Sequence, residues 1–314
     1  MLRSGIIRLL SGGKNQFELE ALLVGRLKGV PERVKSRSAA YILSKQKKDG
    51  GFPGRLGNSD IYYTAFALRS ALLLQIKNAG FWKRAAGFIS GIDVPGLDLA
   101  GLVSYLQSAD ILEKYFGYAP ATDYRSAALK TLKNYEVSAG GFRKSPVDGT
   151  LSIYNSFLAL LCLSKLGEKY TDPGKATARI LKRQGSDGGF SELGFTAAGR
   201  TNPSAAAAMT LFALRKLPAP AGEKAAGFFA AMQCGNGGFL AHKKAPIPDL
   251  LSTYTSLLTL KALGRLKEVD AKRALSFVNS LENIKSGFKA VEIDNASDLE
   301  YTYYGLGCLG ILER

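Results

Sequence analysis

The tripeptide Gly-Gly-Phe recurs along this chain, at Gly50-Gly51-Phe52, Gly140-Gly141-Phe142, Gly188-Gly189-Phe190 and Gly237-Gly238-Phe239, with a variant at Ser286-Gly287-Phe288. The phenylalanines are 90, 48, 49 and 49 residues apart, and 90 is close to two periods of 45. A further unit is therefore expected between Phe52 and Phe142, and Val94-Pro95-Gly96-Leu97 stands where its turn should be. Self-similarity at such a period marks a fold of stacked supersecondary units, each unable to bury its apolar face alone. The 314 residues hold about six units of 45–49 residues.

Each unit has one order. A helical stretch with basic residues comes first, often ending in Gln: Ser38 to Gln46, Lys175 to Gln184 and Ala221 to Gln233. The Gly-rich turn and a polar loop follow. An apolar segment with helical spacing closes the unit: Tyr62 to Leu74, Tyr154 to Leu166, Ala205 to Leu217, Thr253 to Leu266 and Thr302 to Leu312. Leu, Ala, Phe and Tyr dominate these segments, which favours helix over strand. Asp60, Ser152, Asn202, Asp249 and Asp298 stand four residues before Thr64, Ser156, Ala206, Thr253 and Thr302. Asp, Ser and Asn accept hydrogen bonds from the free N–H groups of a helix start, so all five are expected at N-caps. The nearly all-apolar helices must be buried on most sides. An inner ring of them inside an outer ring of amphipathic helices gives an all-α, (α/α)6 toroid; an open solenoid of hairpins is the alternative.

Composition narrows the chemistry. Hydrophobic residues make up 46% and charged residues 22%, which is globular rather than disordered. Three cysteines are too few for a disulfide scaffold and point to a reduced, cytoplasmic protein. A single histidine excludes a three-His zinc site. No apolar run reaches the length of a membrane span. Residues 1–34 read as a helical extension, either packed on the body or lying on a membrane surface, and 35–314 as the repeat domain.

The segment Gln46 to Leu68, Gln-x-x-Asp-Gly-Gly-Phe-x-Gly-Arg…Asp-x-x-x-Thr-x-x-x-Leu, resembles the prenyltransferase and squalene-cyclase repeat, and most of all the β subunits of protein geranylgeranyltransferases and farnesyltransferases. The resemblance covers about residues 35–314 and shows in five of six units. It implies an α/α barrel whose aromatic-lined central cavity holds an isoprenoid. The family's two chemistries each carry a residue test. Protein prenylation uses a zinc held by Asp-x-Cys and a later His; here Asp249 is present, but Leu251 and Tyr301 occupy the other two positions. Class II cyclisation protonates its substrate with an Asp-x-Asp-Asp motif, which does not occur; Asp93…Asp98 and Asp294…Asp298 have the wrong spacing. Both chemistries are disfavoured, and no metal or cofactor is expected. Cys162 and Cys308 lie in apolar helices and read as small core residues.

Two groups remain that could bind a ligand. Aromatic residues open the apolar helices: Tyr62, Tyr63, Phe66, Tyr154, Phe157, Tyr254, Tyr301, Tyr303 and Tyr304. They either pack in the core or present faces to a polyprene or a carbocation. Basic residues follow the Gly-Gly-Phe turns, among them Arg55, Arg143, Lys144, His242, Lys243, Lys244 and Lys289. The resemblance puts His242 and Lys244 about where the family holds an isoprenoid diphosphate; the plain alternative is a solvated basic loop. The net charge of +16 comes with no nucleic-acid-reading motif and fits an anionic membrane surface better. The leading expectation is a metal-independent isoprenoid-binding or -processing protein, its ligand held by Arg55, Tyr62, Tyr63, His242, Lys244, Asp249, Tyr254 and Tyr301. The alternatives are a non-catalytic interaction module with a helical protein partner, and a protein prenyltransferase with an altered metal site.

Overall fold

The Gly-Gly-Phe turn is a joint between neighbouring hairpins. In the computed structural model, which describes residues 25–120, 123–138, 140–147, 149–192, 194, 198–283 and 287–313, twelve α-helices follow one another along the chain, two to each of six successive helix–turn–helix segments. Three hairpins have α1 (Glu32–Lys45) with α2 (Ile61–Leu73), α3 (Ala79–Ser90) with α4 (Leu99–Phe116), and α5 (Tyr124–Lys133) with α6 (Ile153–Leu166). The others have α7 (Pro173–Leu181) with α8 (Thr201–Ala213), α9 (Ala219–Ala231) with α10 (Leu250–Ala262), and α11 (Ala271–Ser280) with α12 (Leu299–Leu312). The degenerate turn is real: Val94–Gly96 forms a 3-10 turn between α3 and α4, and Asp98 caps α4 through the N–H of Gly101. The second helix of each hairpin is the buried one. In α12, Tyr303, Leu306, Cys308 and Leu309 are all within 1% of full burial.

The described residues divide into two units, one of residues 132–277 and one of residues 25–131 with 278–313. In the first, α8 packs against α6 and α10. In the second, α2 packs against both α4 and α12. The 3-10 turn Gly25–Lys28 also packs on α12, and Leu27 and Val30 are buried. The expected boundary at residue 34 thus falls inside α1; residues 1–24 of the expected extension lie outside the described residues.

One hydrogen-bond relay fixes four of the Gly-Phe turns. The N–H of Phe52 donates to the hydroxyl of Thr64 (3.0 Å), which donates to the carbonyl of Asp60 (2.6 Å). Phe142 uses Ser156, Phe239 uses Thr253 and Phe288 uses Thr302 in the same way. The Phe ring is thereby held in the core, with Phe52, Phe190, Phe239 and Phe288 fully buried. The polar loop folds back as a short antiparallel pair, β1 (Phe52–Pro53) with β2 (Ser59–Asp60). The same occurs at β3 (Phe142–Arg143) with β4 (Leu151–Ser152). The last turn adds a third strand: β5 (Glu282–Asn283), β6 (Gly287–Lys289) and β7 (Ser297–Asp298).

The terminal Gln has its own role. Gln46 donates to the carbonyls of Gly50 and Phe81, Gln184 to those of Gly188 and Ala221, and Gln233 to those of Gly237 and Asp270. Each Gln therefore ties its turn to the start of the next outer helix. Gly50 makes that approach possible: its φ is +90°, and a Cβ there would sit 2.0 Å from the carbonyl oxygen of Arg84 in α3.

Four of the five expected caps are in place: Asp60, Ser152, Asp249 and Asp298 each accept backbone N–H bonds at their helix starts. Asn202 does not. It lies inside α8, whose cap position is Arg200 with no side-chain bond, and the relay hydroxyl is that of Ser204. The register at this unit is therefore two residues earlier than expected, and Asn202 instead accepts from the hydroxyl of Thr255. No helix among the described residues is long and apolar enough to cross a membrane.

Candidate functional site

In the unit of residues 25–131 and 278–313, the N-terminal ends of α2 and α12 bring an aromatic cluster around one carboxyl group. Tyr62 donates its hydroxyl to Glu300 at 2.7 Å, and Tyr304 donates to the same oxygen at 3.0 Å. The Tyr62 ring lies edge-on to Tyr63 and Phe66, with centroids 5.4 and 4.9 Å apart. Phe66 reaches Tyr303 and Tyr304, and Tyr301 meets Tyr304 at 6.0 Å. Arg69 stacks over the Tyr303 ring at 4.0 Å and donates to its hydroxyl at 2.5 Å. Edge-to-face contacts are a favoured aromatic geometry, and the Arg69 guanidinium lies over the Tyr303 face.

Burial pushes the Glu300 carboxyl above its ordinary 4.5, against the two tyrosine hydrogen bonds that stabilise its charge. A carboxyl raised in the native state stabilises the fold below its unfolded value, and that contribution is lost as pH rises through its folded value. Glu300→Gln keeps an acceptor and loses the charge. It is expected to match the wild type in thermal melts near pH ~4 and to exceed it near pH ~8. A difference that does not grow with pH would contradict this.

Arg55 is the second feature of this end. Its Nη2 is 2.6 Å from Asp294 and its Nε 3.1 Å from Asp298. Both carboxylates hold the guanidinium above its already high range. Asp294 is held below its ordinary value by the N–H of Ala296 and then by Arg55. Arg55 was expected on a diphosphate; instead it is bound by two carboxylates, a group with excess negative charge that would repel one. Tyr63 lies at the edge of this group, its phenol pushed up by burial first and then by Asp298 and Glu300.

The remaining expected residues lie in the unit of residues 132–277. His242 is half-buried, while Lys243 and Lys244 are exposed, in the loop before α10. Asp249 accepts from the N–H and the hydroxyl of Ser252, both at 2.7 Å, and burial pushes its carboxyl up. Tyr254 is buried in α10. The structure thus brings Tyr62, Tyr63 and Tyr301 together, with Arg55 beside them, and places His242, Lys244, Asp249 and Tyr254 along one loop and helix start. Glu300 and Arg69 were missed from sequence. The available signal was a single charge within each otherwise apolar helix, IYYTAFALRSALL and LEYTYYGLGCLGIL.

The residues at the three zinc positions do not fit a zinc ion. Leu251 offers no donor, the carboxyl of Asp249 is engaged by Ser252, and Tyr301 offers only a phenol. Among the described residues no three His, Cys, Asp or Glu side chains cluster as metal ligands. Cys162 and Cys308 are fully buried and their thiols are pushed up by that burial, so neither is a reactive thiolate.

A family model described as the prenyltransferase alpha-alpha toroid domain matches residues 19–90, 97–199 and 204–314. The chain belongs to this family, and its fold class is the all-α toroid rather than an open solenoid. Among solved structures it is similar to Candida albicans protein geranylgeranyltransferase-I complexed with GGPP, with a TM-score of 0.70, 14% identity, and 88% of this chain and 91% of that chain covered. It is also similar to a variant of the type II terpene cyclase MstE from Scytonema in complex with its substrate geranylgeranyl dihydroxybenzoate (TM-score 0.61, 14% identity, coverage 92% and 99%). A protein from Actinoplanes matches with a TM-score of 0.56 at 13% identity, over 90% of this chain and 99% of that one. At these identities the likeness is one of fold alone. No curated protein sequence matches.

Proposed function

We propose that this protein binds an isoprenoid ligand, a prenyl diphosphate or a polyprene, without a metal ion. The observation that carries the reading is the cluster of Tyr62, Phe66, Tyr301 and Tyr304 at the N-terminal ends of α2 and α12. Membership of the prenyltransferase toroid family supports it. In the unit of residues 25–131 and 278–313 the isoprenoid chain lies against Tyr62, Tyr63 and Tyr301; in the unit of residues 132–277 His242 and Lys244, in the loop before the helix of Tyr254, are the candidate contacts for a diphosphate. Asp249 holds the helix start behind that loop, and Arg55 is left with its carboxylates. Glu300 accepts from the hydroxyls of two of these tyrosines, so it is where a proton would be held if the ligand reacts.

Thermal shifts with farnesyl and geranylgeranyl diphosphate, the matching alcohols, squalene and pyrophosphate test this. A ligand at about 100 times its Kd stabilises by about 2.7 kcal/mol. The diphosphates are expected to shift the melt more than the alcohols or pyrophosphate, equally with and without zinc, and Lys244→Ala to remove their advantage. No shift with any ligand to about 1 mM would reject the proposal and favour an interaction module with a helical protein partner. A shift only with zinc would favour an altered metal site.

A further inference from the structure

Asn236 is the one asparagine of the chain that is followed by glycine. It stands in the turn Gln233-Cys234-Gly235-Asn236-Gly237-Gly238-Phe239, at the position that Asp49 and Asp187 occupy in two other turns. Each of the three side chains accepts the N–H of the second glycine: Asp49 from Gly51 at 3.0 Å, Asp187 from Gly189 at 3.1 Å and Asn236 from Gly238 at 3.2 Å. The two aspartates also take a second donor, the Ser59 hydroxyl at 2.8 Å and the Gly199 N–H at 2.9 Å. Pro248 fills that place at the turn of Asn236: a Cβ on Gly238 would lie 2.7 Å from its Cβ, as one on Gly51 would lie 2.6 Å from that of Ser59. Proline has neither an N–H nor a hydroxyl to offer. The turn can therefore hold a carboxylate at 236 without loss of a bond, but nothing there demands one.

The Asn236 side chain is exposed, and its carbonyl carbon is open to attack by the next backbone nitrogen. Glycine has no Cβ to hinder the ring closure. The Gly237 nitrogen gives up its proton and bonds to Cγ of Asn236, and Nδ2 leaves as ammonia. The five-membered imide so formed takes up water. Opening at Cγ gives aspartate in the ordinary linkage, and opening at the main-chain carbonyl gives isoaspartate. The net exchange is amide plus water for acid plus ammonia, with no oxidant or reductant.

The native turn opposes the first step. The Gly237 N–H donates to the carbonyl of Cys234 at 2.9 Å, and the Gly237 carbonyl accepts from Gln233 at 3.2 Å. Gln233 is itself held by the carbonyl and the N–H of Asp270, at 3.0 and 2.8 Å. Gly237 lies so close to α11 that a Cβ on it would be 2.2 Å from the carbonyl of Arg273. We infer that Asn236 is a self-modification site, which deamidates to aspartate at a rate set by the opening of the Gln233 joint. Local opening of this kind precedes any reaction of a protected backbone group. Aspartate refits the closed turn, as Asp49 and Asp187 do. Isoaspartate adds a backbone atom next to Gly237, where α11 leaves no room. The inference involves no ligand and does not rest on the isoprenoid reading.

The test is site-resolved peptide mass spectrometry of the full chain aged in mildly alkaline buffer, native and in urea. In urea Asn236 is expected to convert ahead of the other asparagines, and in the native chain at least about tenfold more slowly than in urea. Gln233→Ala releases Gly237 and Asp270, and should raise the native rate at least about tenfold. In the wild type, urea below the unfolding transition should raise the rate progressively, a reading that stands even where Gln233→Ala does not fold. Gly237→Ala, read in urea where folding plays no part, should slow the conversion. Asn236→Asp is expected to melt with the wild type. An Asn236 that stays intact in urea, or that converts at one rate in the native and the unfolded chain, overturns the inference. So does a folded Gln233→Ala that converts no faster, or an Asn236→Asp that loses stability.

Discussion

Gly50→Ala is expected to cost more than about 4 kcal/mol of stability, and Gly57→Ala only about 1 kcal/mol. The two glycines have nearly the same backbone angle, with φ of +90° and +94°. A left-handed conformation alone costs an L-residue about 1–2 kcal/mol. At Gly57 nothing lies within 4 Å of the added Cβ, so strain is the whole effect. At Gly50 the Cβ would meet the backbone of α3 at Arg84, 2.0 Å from the oxygen and 2.4 Å from the carbon. Backbone cannot swing aside as a side chain does. The outer helix of the next hairpin must retreat, and the bonds of Gln46 to Gly50 and Phe81 stretch with it. Gly188 and Gly237 meet the carbonyls of Lys224 and Arg273 in the same way, so the cost belongs to the repeat. Urea unfolding of the two variants decides it; equal losses would mean that the backbone angle, and not close approach, selects glycine.

That close approach explains why the fold was legible in sequence. A Gly at each turn, a hydroxyl 12 or 14 residues after the Phe and a Gln before them are all short-range consequences of one joint, so they recur with the period. The register failed only where the joint lost a part: at α8, Arg200 replaces the capping side chain, and the helix start could not be read from Asn202. The site was less legible because its partners are distant in sequence. Tyr62 and Glu300 are 238 residues apart, as are Arg55 and Asp298 by 243. In isolation Glu300 reads as an ordinary acid in the first turn of a helix, where the macrodipole favours it. Only the pairing of α2 with α12 turns it into a carboxyl under tyrosines.

Arg55→Ala separates the structural from the ligand-binding use of that basic position. The Asp298 side chain is 5% exposed, and removing its hydrogen-bonded cation leaves a buried carboxylate with the N–H of Tyr301 but without its counter-charge. Breaking such a pair costs about 3–5 kcal/mol, and because the guanidinium itself is 41% exposed the expected loss is about 3 kcal/mol. Arg55→Lys should recover only part of it, since one ammonium cannot span two carboxylates as the planar fork does. The loss has a pH signature. Asp294 is lowered in the native state, so its contribution is present above its ordinary 3.8 and disappears as pH falls through its folded value. In Arg55→Ala that acid-side slope shrinks but does not vanish, because the Ala296 N–H remains. The melt shift given by geranylgeranyl diphosphate should survive in Arg55→Ala and disappear in Lys244→Ala. The opposite pattern, full stability with the shift lost in Arg55→Ala, would make Arg55 a ligand residue and its two carboxylates partners that the ligand displaces.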